Sequence, residues 1–587
     1  MDNNRNLILA VVLSAVLLFG WDFVMRTYYP EPEDAPVNMA SRDDDPMERA
    51  EDAAIEGDAV SPSQIVDVDT ALASTDRITI DASEMLGSIN PQGARIDDID
   101  LKTHRQTVEE DSGPIRLFAP ANTAGQQYAQ FGWVGSGVAV PDANTVWSVV
   151  EGERLTEATP VTLQWDNGAG LRFRLRFEVD EHYMFTVTQS VGNSGQGTVA
   201  LRPYGFINRT SETASLSTWN VHSGPIAASG DGVNFDWDYD EVLEEGPVEL
   251  GGGTDWVGFT DIYWMSALIA ESGQDAAGTF RSAGGSNYRA DLIYDPVNVG
   301  SRQIVSRTTR LFAGAKESAV LDEYQDAGVE RFGLAIDWGW FRWIAWPMWQ
   351  VLIFLFGLVG NFGVAIICLT VIIRLLLFPI AQKQFASMAQ LRAVQPKMKA
   401  LQERYKDDKP KLQQEMARLY KEEKVNPLGG CLPIFLQIPI FFALYKTLLL
   451  AIEMRHQPFF GWLRDLSAPD PATILNLFGL LPFDPPGFLA IGVLAVLLGF
   501  TMWLQFKLNP AAMDPMQQQI FMIMPWVLMF VMAPFAAGLL LYWITSNILT
   551  LAQQKYLYSR HPQLKQQMLK DKEEKARAAE REKAESQ

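Results

Sequence analysis

One guanidinium stands in an apolar run, and its surroundings limit what it can do. Arg374 lies about two-thirds of the way along the stretch Phe362 to Pro379, where mid-bilayer placement of an arginine costs about 2.5–3.5 kcal/mol on insertion scales. Among the apolar stretches from Phe362 to Gln553 the only Asp or Glu is Glu453, near the end of one of them, so no acid is at hand to neutralise it. Two readings follow. Arg374 faces a water-filled cavity between helices, or its long side chain snorkels to the headgroups past Pro379, about 7–8 Å away at helical rise. Thr370, one helical turn before Arg374, and Gln437, Trp543, Ser546, Asn547 and Thr550 in neighbouring stretches are the polar residues able to line such a cavity. Thr370 and Thr550 can equally bond to their own i−4 carbonyls. A single positive charge among hydroxyls and amides is equipment for binding an anionic or polar group.

Other chemistries find little support. The only cysteines, Cys368 and Cys431, both lie in strongly apolar stretches, which excludes a disulfide framework and a cysteine-based zinc site. The five histidines (His104, His182, His222, His456 and His561) include no pair at metal-ligand spacing. No metal or other cofactor is expected. With 48 basic against 70 acidic residues the net charge is −22, the wrong sign for displacing counterions from a nucleic acid.

The elements that position Arg374 are read from apolar length. With 48% hydrophobic residues and a mean hydropathy of −0.01 over 587 residues, the apolar content must be unevenly spread. Leu7 to Val24 is near the ~20 residues a spanning helix needs. It reads as an uncleaved anchor, because Trp21, Asp22 and Phe23 stand where a cleaved signal would carry small residues. Residues 29–64 read as a disordered tether: from Glu31 to Asp58 there are eleven acidic residues against Arg42 and Arg49.

Residues 65–332 read as β structure. Val161, Leu163 and Trp165 alternate with polar residues, Asp166-Asn167-Gly168 turns the chain, and Leu171, Phe173, Leu175, Phe177 and Val179 resume the alternation with Arg172, Arg174, Arg176 and Glu178 between them. That is a hairpin with one buried face, and its continuation predicts a large antiparallel sandwich. The acidic pairs Asp180-Glu181 and Glu244-Glu245 read as solvated surface, with glycosidase-type carboxylates as the alternative. Trp237, Trp256 and Trp264 read as core, with a ligand cleft as the alternative.

Trp338, Trp340, Trp343, Trp346 and Trp349 then mark a headgroup-level belt, so residues 333–360 read as an amphipathic helix lying in the interface. Spans are expected at Phe362 to Pro379, Leu432 to Met454, Phe488 to Phe506, Ile520 to Ala533 and Phe535 to Gln553, which with the anchor makes six. Eleven basic residues between Lys383 and Lys424, and nine from Lys555 to the end, place both segments, and hence both termini, in the cytoplasm and the β domain across the membrane, in a bacterium the periplasm. Met398, Leu401 and Tyr405, then Leu412, Met416 and Leu419, follow 3-4 spacing on either side of Asp407-Asp408-Lys409-Pro410. This predicts a cytoplasmic helical hairpin over 382–424, with Pro396 in the first turn of its first helix.

With these residues in place, the chain resembles the YidC membrane-protein insertases in their long Gram-negative form. The resemblance is carried by Gly360-Asn361-Phe362-Gly363, Ile373-Arg374 with Pro379, Gln395-Pro396-Lys397, and Val425-Asn426-Pro427-Leu428-Gly429-Gly430-Cys431. Gln437-Ile438-Pro439-Ile440-Phe441, Ala443-Leu444-Tyr445, Asp465-Leu466-Ser467-Ala468, Asp514-Pro515-Met516-Gln517-Gln518 and Gly538 through Thr550 complete it. It implies a polytopic helical core (361–556), a periplasmic β-supersandwich and an ATP-independent insertase rather than an enzyme. Nascent membrane proteins from the ribosome or the Sec translocon would pass through a cytoplasm-open hydrophilic groove into the lipid bilayer. It further implies that Arg374, Thr370, Gln437, Trp543 and Thr550 line the groove, that Phe441 belongs to a substrate-sliding face, and that the hairpin 382–424 and the tail 557–587 contact ribosome or substrate. A small-anion transporter anchored on Arg374, and a tethered carbohydrate enzyme, are the competing readings.

Overall fold

The computed structural model describes residues 65–560, apart from 110, 216–220, 231, 407, 424–431, 479–480, 482–489 and 509–514. The expected anchor (1–28), tether (29–64), Val425 to Cys431 motif and most of the tail (557–587) therefore fall outside the described residues.

The alternation over 161–179 folds as its pattern dictates. Strand Leu171–Val179 buries Leu171, Phe173, Leu175, Phe177 and Val179 and turns Arg172, Arg174 and Glu178 outward. It pairs antiparallel with Val161–Asp166 on one side and Met184–Asn193 on the other. The turn between the first two is built by Asn167, whose Oδ1 accepts from the Ala169 and Leu171 amides at 2.8 and 3.0 Å, an Asx-type closure. Gly168 and Gly170, at φ +71° and +97°, take the left-handed conformations that closure requires.

This hairpin belongs to a nine-stranded sheet, which faces an eleven-stranded one centred on Val199–Thr210 between Asn287–Tyr294 and Gln127–Val134. Trp133, Trp256, Phe131, Phe173, Phe177 and Phe185 fill the space between. Trp256 is wholly buried, with its indole donating to the Glu330 carbonyl at 2.9 Å, as a core residue should. Asp180 departs from a solvated surface. Its carboxylate accepts from the His182 and Met184 amides and from the Tyr324 hydroxyl, and burial raises its pKa. It pins a turn.

After the last strand, Ile304–Ala315, helix Ser318–Asp326 leads to the apolar helices Arg342–Val359, Phe362–Leu376, Leu432–Leu450, Val493–Leu508, Pro515–Met532 and Ala537–Arg560. Among the described residues, Arg342–Val359 is the one helix that by itself is long and apolar enough to cross a membrane. Phe362–Leu376 passes the same test only together with Phe378–Gln384, across a 55° bend. The bend follows from Pro379, which has no N–H for the preceding turn and sits at the start of the next helix.

That next helix runs through Phe378–Arg404, so Pro396 is interior to it rather than in its first turn. Pro379 already supplies the favoured N-terminal proline. Asp408 caps the second helix, Lys409–Glu422, accepting from the Lys411 amide at 3.1 Å. The two helices fold back on each other through Val394 and Leu419, with Met398 and Leu401 alongside.

Candidate functional site

Three helices bring the candidate residues together. Phe362–Leu376 packs on Arg342–Val359 and on Ala537–Arg560, and Leu432–Leu450 packs on Arg342–Val359 and more lightly on Ala537–Arg560. The close approach at the start of the first is made by Gly363, where a Cβ would fall 2.0 Å from the Phe459 ring. Arg374 lies in its last turn, where a cation complements the partial negative charge of the exposed carbonyls.

The Arg374 guanidinium is only partly accessible, and it donates twice to one oxygen. Its Nε reaches Ser546 Oγ at 3.1 Å, and its Nη2 makes a second bond to the same hydroxyl. The Arg374 carbonyl, one of those left without an intrahelical donor at the helix end, accepts from Gln553 Nε2 at 3.4 Å. Among the described residues, Arg374 has no carboxylate in ion-pair contact. Its charge is thus held by neutral groups in an apolar surround.

From Ser546 the polar cluster continues along the same helix to Tyr542, one turn earlier. Tyr542 is buried, and its hydroxyl accepts from Gln437 Nε2 at 2.9 Å. A chain of polar groups thereby links Arg374, Ser546, Tyr542 and Gln437 across three helices. Beside it, half-buried Phe441 meets Trp543 with ring centroids 5.1 Å apart and planes at 58°. Phe441 lies one turn after Gln437, so one polar and one aromatic side chain face the same partner helix. Asn547 donates to Thr501 Oγ1 at 3.1 Å and ties the Ala537–Arg560 helix to Val493–Leu508.

The threonines behave differently from the other candidates. Thr370 is wholly buried and donates to the Ile366 carbonyl at 2.7 Å, and Thr550 donates to the Ser546 carbonyl at the same distance. Each closes on its own helix, the i−4 arrangement of a threonine with no better acceptor. Thr550 remains half-buried, whereas Thr370 is wholly buried.

Sequence reasoning misses two residues. Tyr542 stands next to a tryptophan in an apolar run, and its hydroxyl is invisible to a hydropathy reading. Lys446 is a cation late in the Leu432–Leu450 helix. It pairs with Asp337 at 2.6 Å, a residue 109 positions away. The Lys itself is a legible signal in an apolar stretch, although its partner is not.

Two family models match nearly the whole described chain: the 60Kd inner membrane protein over residues 354–565 and the YidC periplasmic domain over residues 77–351. Among curated relatives, the membrane protein insertase YidC of Zymomonas mobilis is 44% identical over 561 residues, covering 95% of each chain. That of Nitrobacter hamburgensis is 43% identical over 583 residues, covering 96% of each.

Proposed function

The chain belongs to the YidC family of membrane-protein insertases, and we propose that it takes up nascent membrane segments at the cluster around Arg374 and passes them into lipid. The observation that carries this reading is a guanidinium bonded to a hydroxyl, with no carboxylate contact among the described residues. A cation so held keeps its attraction for an incoming acidic group. In a partly desolvated site a unit charge pair about 4 Å apart is worth about 4 kcal/mol, against about 1 in bulk water. Gln437, Tyr542 and Ser546 offer hydrogen bonds to a polar loop in transit, which lowers the cost of taking it out of water. Phe441 and Trp543 offer the apolar part of the segment a surface of its own kind. Release follows from partition of the apolar segment into the bilayer, at about 25 cal/mol per Å² buried, so no nucleotide is required.

The family places the β domain in the periplasm and the chain in the inner membrane. In our reading, residues 1–28 anchor the chain, 29–64 tether the periplasmic domain 65–332, 333–360 lie along the interface, and 361–556 form a five-span core. Both termini then face the cytoplasm. The paired helices of 382–424 and the tail 557–587 face the ribosome, and Sec-dependent substrates arrive from the translocon.

The test is reconstitution. Purified chain in liposomes without nucleotide, given a short single-span protein with an acidic leading loop, should yield a protease-protected translocated fragment. Insertion no higher than in protein-free liposomes would overturn the reading, and anion flux in the same vesicles would favour the transporter.

A further inference from the structure

The helix that carries Gln437 and Phe441 is bolted at its far end to the segment that joins the β domain to Arg342–Val359. Lys446 Nζ donates to Asp337 Oδ2 at 2.6 Å and to the Asp337 carbonyl at 3.1 Å, and Lys446 is nine-tenths buried. Asp337 is itself fixed, because its Oδ1 accepts from the Gly339 amide at 2.8 Å. Gly339, at φ +66°, passes close to the lysine stem, and a Cβ there would stand 3.3 Å from Lys446 Cε. Just past the helix, Glu453 Oε1 accepts from the Ser318 amide and hydroxyl at 3.2 and 3.1 Å, and the Trp349 indole donates to that same hydroxyl. Arg455 then donates to the Arg105 and Gln106 carbonyls and lies over the Trp264 ring at 5.4 Å.

An ion pair with one buried and one half-buried partner is poor value as a source of stability, since desolvation of the lysine offsets much of the attraction. Its better-attested use is to select one arrangement over its neighbours. Here the arrangement is helix rotation: one residue of slippage turns an α-helix by about 100°. That would swing Phe441 away from Trp543. Lys446 is five residues beyond Phe441 with no proline between them, whereas Pro439 separates both from Gln437, which has its own tie to Tyr542. We propose that Lys446 and Asp337 are positioning residues through which the segment leaving the periplasmic domain sets the rotation of the Leu432–Leu450 helix, and so the presentation of Phe441 to substrate.

The proposal rests on the insertase reading, and the test separates the two. Full chain in inner-membrane vesicles, with a photoreactive residue at position 441 or 437, is presented with a ribosome-bound nascent membrane protein. Lys446→Met and Asp337→Asn should each cut the crosslink from 441 by about fivefold and leave that from 437 within about twofold, the double variant should do no more than either alone, as for one shared contact, and Lys446→Arg should restore the signal. Membrane level and protease resistance of each variant confirm that it is folded. Should Lys446→Met fail to accumulate, Asp337→Asn, whose amide retains the bond to Gly339, carries the test. Unchanged crosslinks from 441, additive losses, or no restoration by Lys446→Arg would overturn the proposal. A parent chain silent at both positions would overturn the insertase reading instead.

Discussion

Replacing Arg374 with glutamine removes the charge and keeps a donor for Ser546 Oγ. A substrate carboxylate about 6 Å from the guanidinium gains about 3 kcal/mol at an effective dielectric of about 20. Partial desolvation of that carboxylate takes back about half, leaving roughly 1.4 kcal/mol, or about tenfold. Screening changes this little, because the site is partly buried. In reconstituted vesicles, Arg374→Gln should therefore slow insertion of a substrate with an acidic leading loop by about tenfold, and slow the same substrate with its acids changed to amides by no more than about twofold. Arg374→Lys should fall between, since an ammonium keeps the charge but loses the planar fork that places two donors on one oxygen. Equal losses for acidic and neutral substrates would refute the reasoning and leave Arg374 a structural bolt between two helices.

Tyr542→Phe deletes the acceptor for Gln437, at about 1 kcal/mol, and should slow insertion of acidic and neutral substrates alike by roughly fivefold in the same assay. Lys316 is buried, donates to Thr260 Oγ1, and burial pushes its pKa down to about 8. Because the folded-state value lies below the unfolded one, stability should climb as pH rises from about 8 toward 10.5, where the folded chain has lost the proton that the unfolded chain still holds. Lys316→Met should abolish that climb and stabilise the domain at pH 7 by about 3 kcal/mol, as read by denaturant unfolding of the full chain in detergent. Gly258→Ala sets a Cβ 2.0 Å from the Ser266 carbonyl oxygen of the adjacent strand. It should destabilise the domain by about 1–3 kcal/mol or more, visible as faster proteolysis of the β domain.

What was legible in the sequence is what depends on local period and on single misplaced charges. The alternation from Leu171 to Val179 and the Asn167 turn are local, and both appear as read. Arg374 stands out because a charge in an apolar run has few explanations. Its partner Ser546 was among the polar candidates, but not the geometry that joins them. Pairings between distant segments were not legible. Asp337 with Lys446, Ser318 with Glu453, and Gln437 with Tyr542 depend on tertiary approach, and a hydropathy reading of Tyr542 hides its hydroxyl. The N-terminal preference of proline points Pro396 to a first turn, whereas the helix begins at Phe378 and continues through it. For Thr370 the sequence leaves two readings open, a cavity-facing hydroxyl and a bond to its own i−4 carbonyl, and the second bond is present.

The most direct test of the central claim is site-specific photocrosslinking to a ribosome-bound nascent membrane protein from positions 437 and 543, with a probe at exposed position 178 of the β domain as control. The account predicts crosslinks from both 437 and 543, none from the control, and loss of both when the chain is released into lipid. Silence at 437 and 543, with the probes shown to be water-accessible, would contradict it.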